Sequence, residues 1–165
     1  MKKTKTILLD LSAEQAWDVV GNRFGDVGLW AASLTSSHLN GELNIGTSRV
    51  CINKQQEIVE KITMFNPDKM ELAYEITSAL PAFIKTAKNH WSIKPLAANR
   101  TAVTTVVTSD LAWWAFFLTP LMSFAIGNIL TKALVELKYW AETGEQHPRK
   151  KAYNTKFAQF VPQLN

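Results

Sequence analysis

Leu111 to Leu130 is a run of twenty residues without a charged side chain, and it leads into a segment with helical amphipathic spacing. A run of that length is about what a membrane-spanning helix needs. Two features argue against a span. Thr119, Pro120, Ser123, Gly127 and Asn128 interrupt the run, and past Asn128 charges return at Lys132, Glu136 and Lys138. A membrane helix is ordinarily a less interrupted pattern. Both features fit a long helix, Pro120 to Thr143, with a buried start and an apolar loop before it. Thr119-Pro120 reads as a cap followed by proline at the first helical position, and Gly144 stands where a C-terminal cap belongs. At ~1.5 Å per residue the helix would run roughly 36 Å. Its apolar stripe is read as Met122, Ile126, Ile129, Ala133, Leu137 and Trp140, at spacings of three or four.

The residues before this helix read mostly as strands. Lys5 to Leu11 alternates, with Ile7, Leu9 and Leu11 on one face. Ser12 and Gln15 then have capping-box spacing and open a short helix over Ala13 to Val20, which Gly21 or Asn22 ends. A second short helix, Asp26 to Ala32, follows the break at Gly25. Strands are expected at 34–39, 48–52, 55–65, 69–77, 85–93 and 101–108, punctuated by Asn40-Gly41 and by Asn66-Pro67-Asp68. Short connections between successive strands favour antiparallel neighbours. The chain is therefore read as α+β.

Composition bounds the rest. With 165 residues, 47% apolar and 19% charged, the chain is one ordinary domain and not a disordered one. The net charge of +4 would suggest an anionic partner, but it belongs to the ends. Lys2, Lys3 and Lys5 give +3, residues 143–165 give +3, and Thr6 to Glu142, with 11 bases and 13 acids, carries −2. Basic ends of this kind commonly read as solvated tails. The division is thus a domain over 1–144 and a basic tail over 145–165, in which Phe157, Phe160 and Val161 could dock on the domain or on a partner. The single cysteine, Cys51, excludes an internal disulfide, and Asp10 interrupts the apolar run Ile7-Leu8-Leu9 too early for a signal peptide. A reducing cytoplasm fits best.

Several stretches in this order carry a resemblance. Leu11 to Val20 (LSAEQAWDVV), Phe24 to Trp30 (FGDVGLW), Gly41 to Arg49 (GELNIGTSR), Ile58 to Ile62 with Leu72 to Ile76, and Leu134 to Glu142 each look like a piece of one pattern. Together, over about Lys5 to Glu142, the chain resembles the START/Bet v 1-like (SRPBCC) superfamily and, within it, polyketide cyclase/dehydrase-like bacterial proteins. The resemblance implies a helix-grip fold: a curved antiparallel sheet of about seven strands around the long C-terminal helix, with two short helices after the first strand. It also implies a cavity between sheet and helix that takes an apolar small molecule or lipid. A shared fold does not choose between binding and catalysis.

Strand parity nominates the residues facing such a cavity. Ile58, Glu60, Ile62 and Met64 share a face, which puts the Glu60 carboxylate among apolar neighbours, and Arg49 one strand earlier is its expected partner. The pair could bind a polar ligand group or be a structural ion pair. Asn89 shares its face with Trp91, Tyr74 with Leu72 and Ile76, and His38 with Leu34 and Ser36; each could also be a satisfied core or rim group. Trp30 is expected beside the mouth. Trp113 and Phe117, in the apolar stretch Leu111 to Leu118, are read as a hydrophobic lid or as core filling. Met122 and Ile126 are expected on the cavity side of the long helix. No catalytic signature is present, and the three histidines have no metal-ligand spacing, so no catalytic residue, metal or cofactor is assigned. Nucleic acid is not expected as a partner, because the body is acidic. Three functions stay open: a ligand-binding module first, a cyclase/aromatase-like enzyme using Glu60 or Tyr74, or a protein that contacts a membrane or partner through its basic tail.

Overall fold

A computed structural model describes residues 1–161 of the chain. Seven antiparallel strands form one sheet in the order β1-β7-β6-β5-β4-β3-β2. These are β1 Lys2–Leu9, β2 Ser36–Leu39, β3 Ser48–Asn53, β4 Gln56–Asn66, β5 Glu71–Ile76, β6 Ile84–Ala97 and β7 Arg100–Leu111. From β2 onward each strand pairs with the next in sequence, and β1 closes the far side against β7 from Lys2↔Thr108 to Leu9↔Thr101. The short helices α1 (Ala13–Trp17) and α2 (Val27–Trp30) follow β1, and the long helix α3 (Thr119–Thr143) follows β7. This is the expected helix-grip arrangement, and its core is Leu9, Trp17, Phe24, Ile62, Leu72, Val103, Leu134 and Leu137.

Local sequence explains most of the element boundaries. The Ser12–Gln15 capping box forms in both directions and starts α1. A π-helical turn at Asp18–Asn22 then carries the chain toward α2, so the helical stretch expected to Val20 changes character after Trp17. Gly28 sits in α2 because a Cβ there would come within 2.5 Å of the backbone of Ser36 and Ser37. Only glycine lets α2 lie so close to β2, where the Ser37 hydroxyl accepts from the Gly28 N–H at 2.6 Å. At the other end of the chain Gly144 takes φ +71° and caps α3, its N–H donating to the Trp140 carbonyl.

Three elements differ from the sequence reading. In β4 the register slips between Ile62 and Met64, so Thr63 is an extra residue and the parity reverses. Phe65, not Met64, then packs on the core, with its ring 5.6 Å from that of Trp17. The helix start is different too: Thr119 is already helical, its hydroxyl donating to the Phe116 carbonyl, and a 3-10 turn over Trp113–Leu118 runs directly into α3. Finally, α3 is rotated from the expected stripe. Gly127, Leu130, Leu134, Glu136 and Leu137 are its buried residues, whereas Met122 and Ile126 are only half-buried.

The C-terminal segment is not a solvated tail. Pro148–Lys156 forms a helix, α4, whose N-cap His147 accepts the Arg149 N–H through Nδ1. Arg149 reaches Glu136 of α3 at 2.8 Å, the buried Lys150 ammonium donates to the Leu34 carbonyl, and Tyr153 donates to Asn53 of β3 at 2.7 Å. The tail's residues 162–165 lie outside the described residues.

Candidate functional site

The inner faces of β3, β4, β5 and β6 meet α2 and the middle of α3 around a cavity of about 230 Å³. Of the predicted site residues, Trp30, Arg49, Glu60, Tyr74, Asn89 and Trp91 all line it. Alternation places them: Arg49 pairs with Glu60 across β3 and β4, and Tyr74 with Asn89 across β5 and β6. All six are buried.

The polar side chains form two connected groups. Arg49 donates through Nε to Glu60 Oε2 at 2.7 Å and through Nη1 to the Phe24 carbonyl at 2.7 Å. Its guanidinium carbon lies 3.6 Å from the centre of the Phe24 ring. Cys51 donates its thiol to the same Glu60 oxygen at 3.3 Å. Oε2 thus collects the donors, and among the described residues no donor is bonded to Oε1. In the second group Thr105 donates to Asn89 Oδ1 at 2.6 Å, and Asn89 Nδ2 donates to the Tyr74 oxygen at 3.0 Å. This leaves the Tyr74 hydroxyl proton as a donor to the cavity.

Burial sets the protonation of these groups. Burial works against the charge on Arg49, but the attraction and hydrogen bond of Glu60, with further pull from Cys51 and Tyr74, together outweigh it, and the guanidinium is held above its ordinary value. Burial pushes the Cys51 thiol up to about 12 and raises Tyr74 well above the ordinary phenol value. At neutral pH both keep their protons. The site therefore offers one fixed cation, one carboxylate held by it, and neutral donors.

Five predicted residues do not line the cavity. His38 is exposed on β2, the edge strand, because Ser37 and Leu39 on either side of it are the residues that face α2 and the turn at Gly25. Trp113 and Phe117 are 82% and 63% exposed, since the 3-10 turn directs Ala112 and Ala115 inward instead. They are neither core filling nor cavity wall. Met122 and Ile126 share a face with Ile129 and Ala133, which with Leu130 supply that wall, but they lie nearer the start of α3 and fall short of the cavity along the helix. Phe24 and Cys51 were missed, although Cys51 has the same parity on β3 as Arg49. A second groove of about 510 Å³ adjoins the cavity, sharing Ser33, Ile129 and Ala133, and runs beneath α4 past Lys132, Arg149 and Lys156. Among the described residues no cluster of His, Cys, Asp or Glu could hold a metal.

The sequence matches a family described as polyketide cyclase / dehydrase and lipid transport over residues 2–142. No curated protein matches it. Among solved structures the chain is similar to XoxI from Bacillus cereus, at 19% identity and TM-score 0.71, over 88% of this chain and 99% of that one. It is similar to a START superfamily protein from Mycobacterium smegmatis, at 16% identity and TM-score 0.68, over 86% and 97%. It also superposes on the di-domain ARO/CYC BexL of the BE-7585A biosynthetic pathway, at 11% identity and TM-score 0.72, over 84% of this chain and 45% of that one. At these identities the likenesses establish the fold, which is START-like.

Proposed function

Because the chain belongs to the polyketide cyclase / dehydrase and lipid transport family, we propose that it binds a small apolar molecule with one polar end in the cavity between sheet and α3. The observation that carries the reading is the mixture of walls. Phe24, Val27, Trp30, Ile58, Ile76 and Trp91 are apolar, while Glu60, with Oε1 unbonded among the described residues, and the Tyr74 hydroxyl line the same cavity as one acceptor and one donor. About 230 Å³ is roughly eight water volumes at ~30 Å³ each. It suits a bicyclic phenol or the head of a longer chain, whose remainder would extend past Ile129 and Ala133 into the groove beneath α4.

Binding is favoured over a cyclase-type reaction. Tyr74 and Cys51 hold their protons and Glu60 is engaged by Arg49, so the site presents hydrogen-bonding groups rather than a poised base. The buried thiol of the one cysteine is consistent with a reducing, cytoplasmic setting. The docked tail leaves fewer bases for a bilayer, since Arg149 and Lys150 are engaged with Glu136 and Leu34.

Calorimetric titration with naphthol tests the reading. Saturable one-to-one binding is expected, abolished by Ala133→Phe, which fills the mouth. Tyr74→Phe should weaken it about fivefold, as expected for one hydrogen bond of ~1 kcal/mol. Affinity unchanged in both variants would place the ligand elsewhere.

A further inference from the structure

The segment between β7 and the middle of α3 leaves a large apolar surface uncovered. Trp113, Trp114, Phe116, Phe117, Leu121 and Phe124 are between 49% and 82% exposed. Single exposed apolar residues are ordinary, but six large ones within twelve positions form a patch of the kind that marks an interaction site. Its position in the fold explains why nothing covers it. α3 runs beside β1, with Gly127 against the Lys3 side chain and Lys138 donating to the Leu8 carbonyl. Eleven helical residues at ~1.5 Å and five strand residues at ~3.3 Å both span roughly 16 Å, so helix and strand advance together. Two more strand residues reach Met1, which corresponds to about Met122 on the helix. Leu121 and everything before it in the 3-10 turn therefore lie beyond the start of β1.

The rim of this segment is basic. Lys2 and Lys3 lie at the start of β1, the Met1 amine donates to the Ser109 carbonyl, and Lys85 stands beside Ile84, the partner of Leu111. Asp110 is the one carboxylate on the adjoining stretch of β7, and Thr86 donates to it. Among the described residues Lys2, Lys3 and Lys85 have no carboxylate partner within 4.0 Å. From Leu111 to Thr131 there is no charge. Aromatic side chains backed by lysines match the boundary of an anionic bilayer, where amphipathic rings settle at headgroup depth and bases meet lipid phosphates.

We propose that this exposed apolar segment, Trp113 to Phe124 with Lys2, Lys3 and Lys85 around it, docks this protein on the surface of an anionic phospholipid bilayer. Ile129 is both exposed and part of the cavity wall, so the docking face lies on the same helix as the cavity mouth.

The test is co-sedimentation of the full chain with vesicles of phosphatidylcholine alone and of phosphatidylcholine mixed with phosphatidylglycerol. Wild type is expected to bind the mixed vesicles selectively, with a blue shift in tryptophan emission. Trp113→Ser with Phe117→Ser and Phe124→Ser, all at exposed positions, should lower partitioning at least about 100-fold while thermal unfolding stays cooperative. Lys2→Gln with Lys85→Gln should lose about fivefold per lysine on the mixed vesicles only. Ala133→Phe, which fills the cavity mouth and leaves the apolar segment intact, is expected to bind vesicles like wild type, so failure of the cavity reading stays separate. Wild type that binds neither vesicle, or both equally, would overturn the proposal. So would a concentration-dependent dimer that the triple serine variant abolishes, since a second copy would then cover the face.

Discussion

Replacing Arg49 by Met removes the partner that lets a carboxylate sit inside this fold. The residue is 5% exposed, and loss of its side chain removes the bonds to Glu60 Oε2 and to the Phe24 carbonyl together with the stacking on the Phe24 ring. What remains on Glu60 is the Cys51 thiol at 3.3 Å. Removing one member of a buried pair typically costs about 3–5 kcal/mol, because an uncompensated charge stays behind. For a domain of this size ~1 kcal/mol shifts the midpoint by about 2–4 °C, so Arg49→Met should melt roughly 10 °C below wild type. Adding Glu60→Met removes the stranded carboxylate as well, and replacing both members of such a pair by apolar residues is often neutral. The double variant should therefore recover most of the loss. Differential scanning calorimetry of wild type, both single variants and the double variant provides the cycle. A double variant that melts as low as the sum of the singles would refute the reasoning, because the two groups would then act independently.

Other consequences follow from the packing and from the tail. Gly28→Ala places a Cβ within 2.5 Å of the Ser36–Ser37 backbone and should cost about 1–3 kcal/mol in chemical unfolding, far above an exposed Gly→Ala change. Lys150 carries a pH signature. Burial lowers it to about 8, against a partial opposing pull from Glu136. Because the folded value lies below the unfolded one, the unfolded chain binds more protons between them. The Lys150 contribution to stability therefore rises as pH climbs from about 8 through the ordinary lysine range. The difference in unfolding midpoint between wild type and Lys150→Met should move in wild type's favour over that window; a flat difference would contradict it.

The fold was legible because its signals are local. The Ser12–Gln15 capping box, the alternation of Leu72 and Tyr74 against Ala73 and Glu75, and Gly144 after the helix each state their structure within a few residues. The same alternation brought Arg49, Glu60, Tyr74, Asn89 and Trp91 to one cavity. What was not legible depends on distant partners or on ambiguity. Before Leu130 nearly every side of α3 is apolar, so spacing alone does not choose between Met122–Ile126 and Gly127–Leu130 as the inward face. The extra residue at Thr63 has no marker in a run of strand-forming residues. α4 lacks an apolar stripe, and bonds from Arg149, Lys150 and Tyr153 to residues far away in sequence tie it down. Trp113 and Phe117 lie beyond the start of β1, a placement that no window of sequence contains.

Native mass spectrometry of the full chain, purified without detergent or organic solvent, tests the central claim most directly. A bound apolar molecule with one polar end is expected on wild type at one copy per chain and is expected to be absent from Ala133→Phe. A wild-type spectrum showing only the bare chain, with no uptake of added naphthol, would contradict the account.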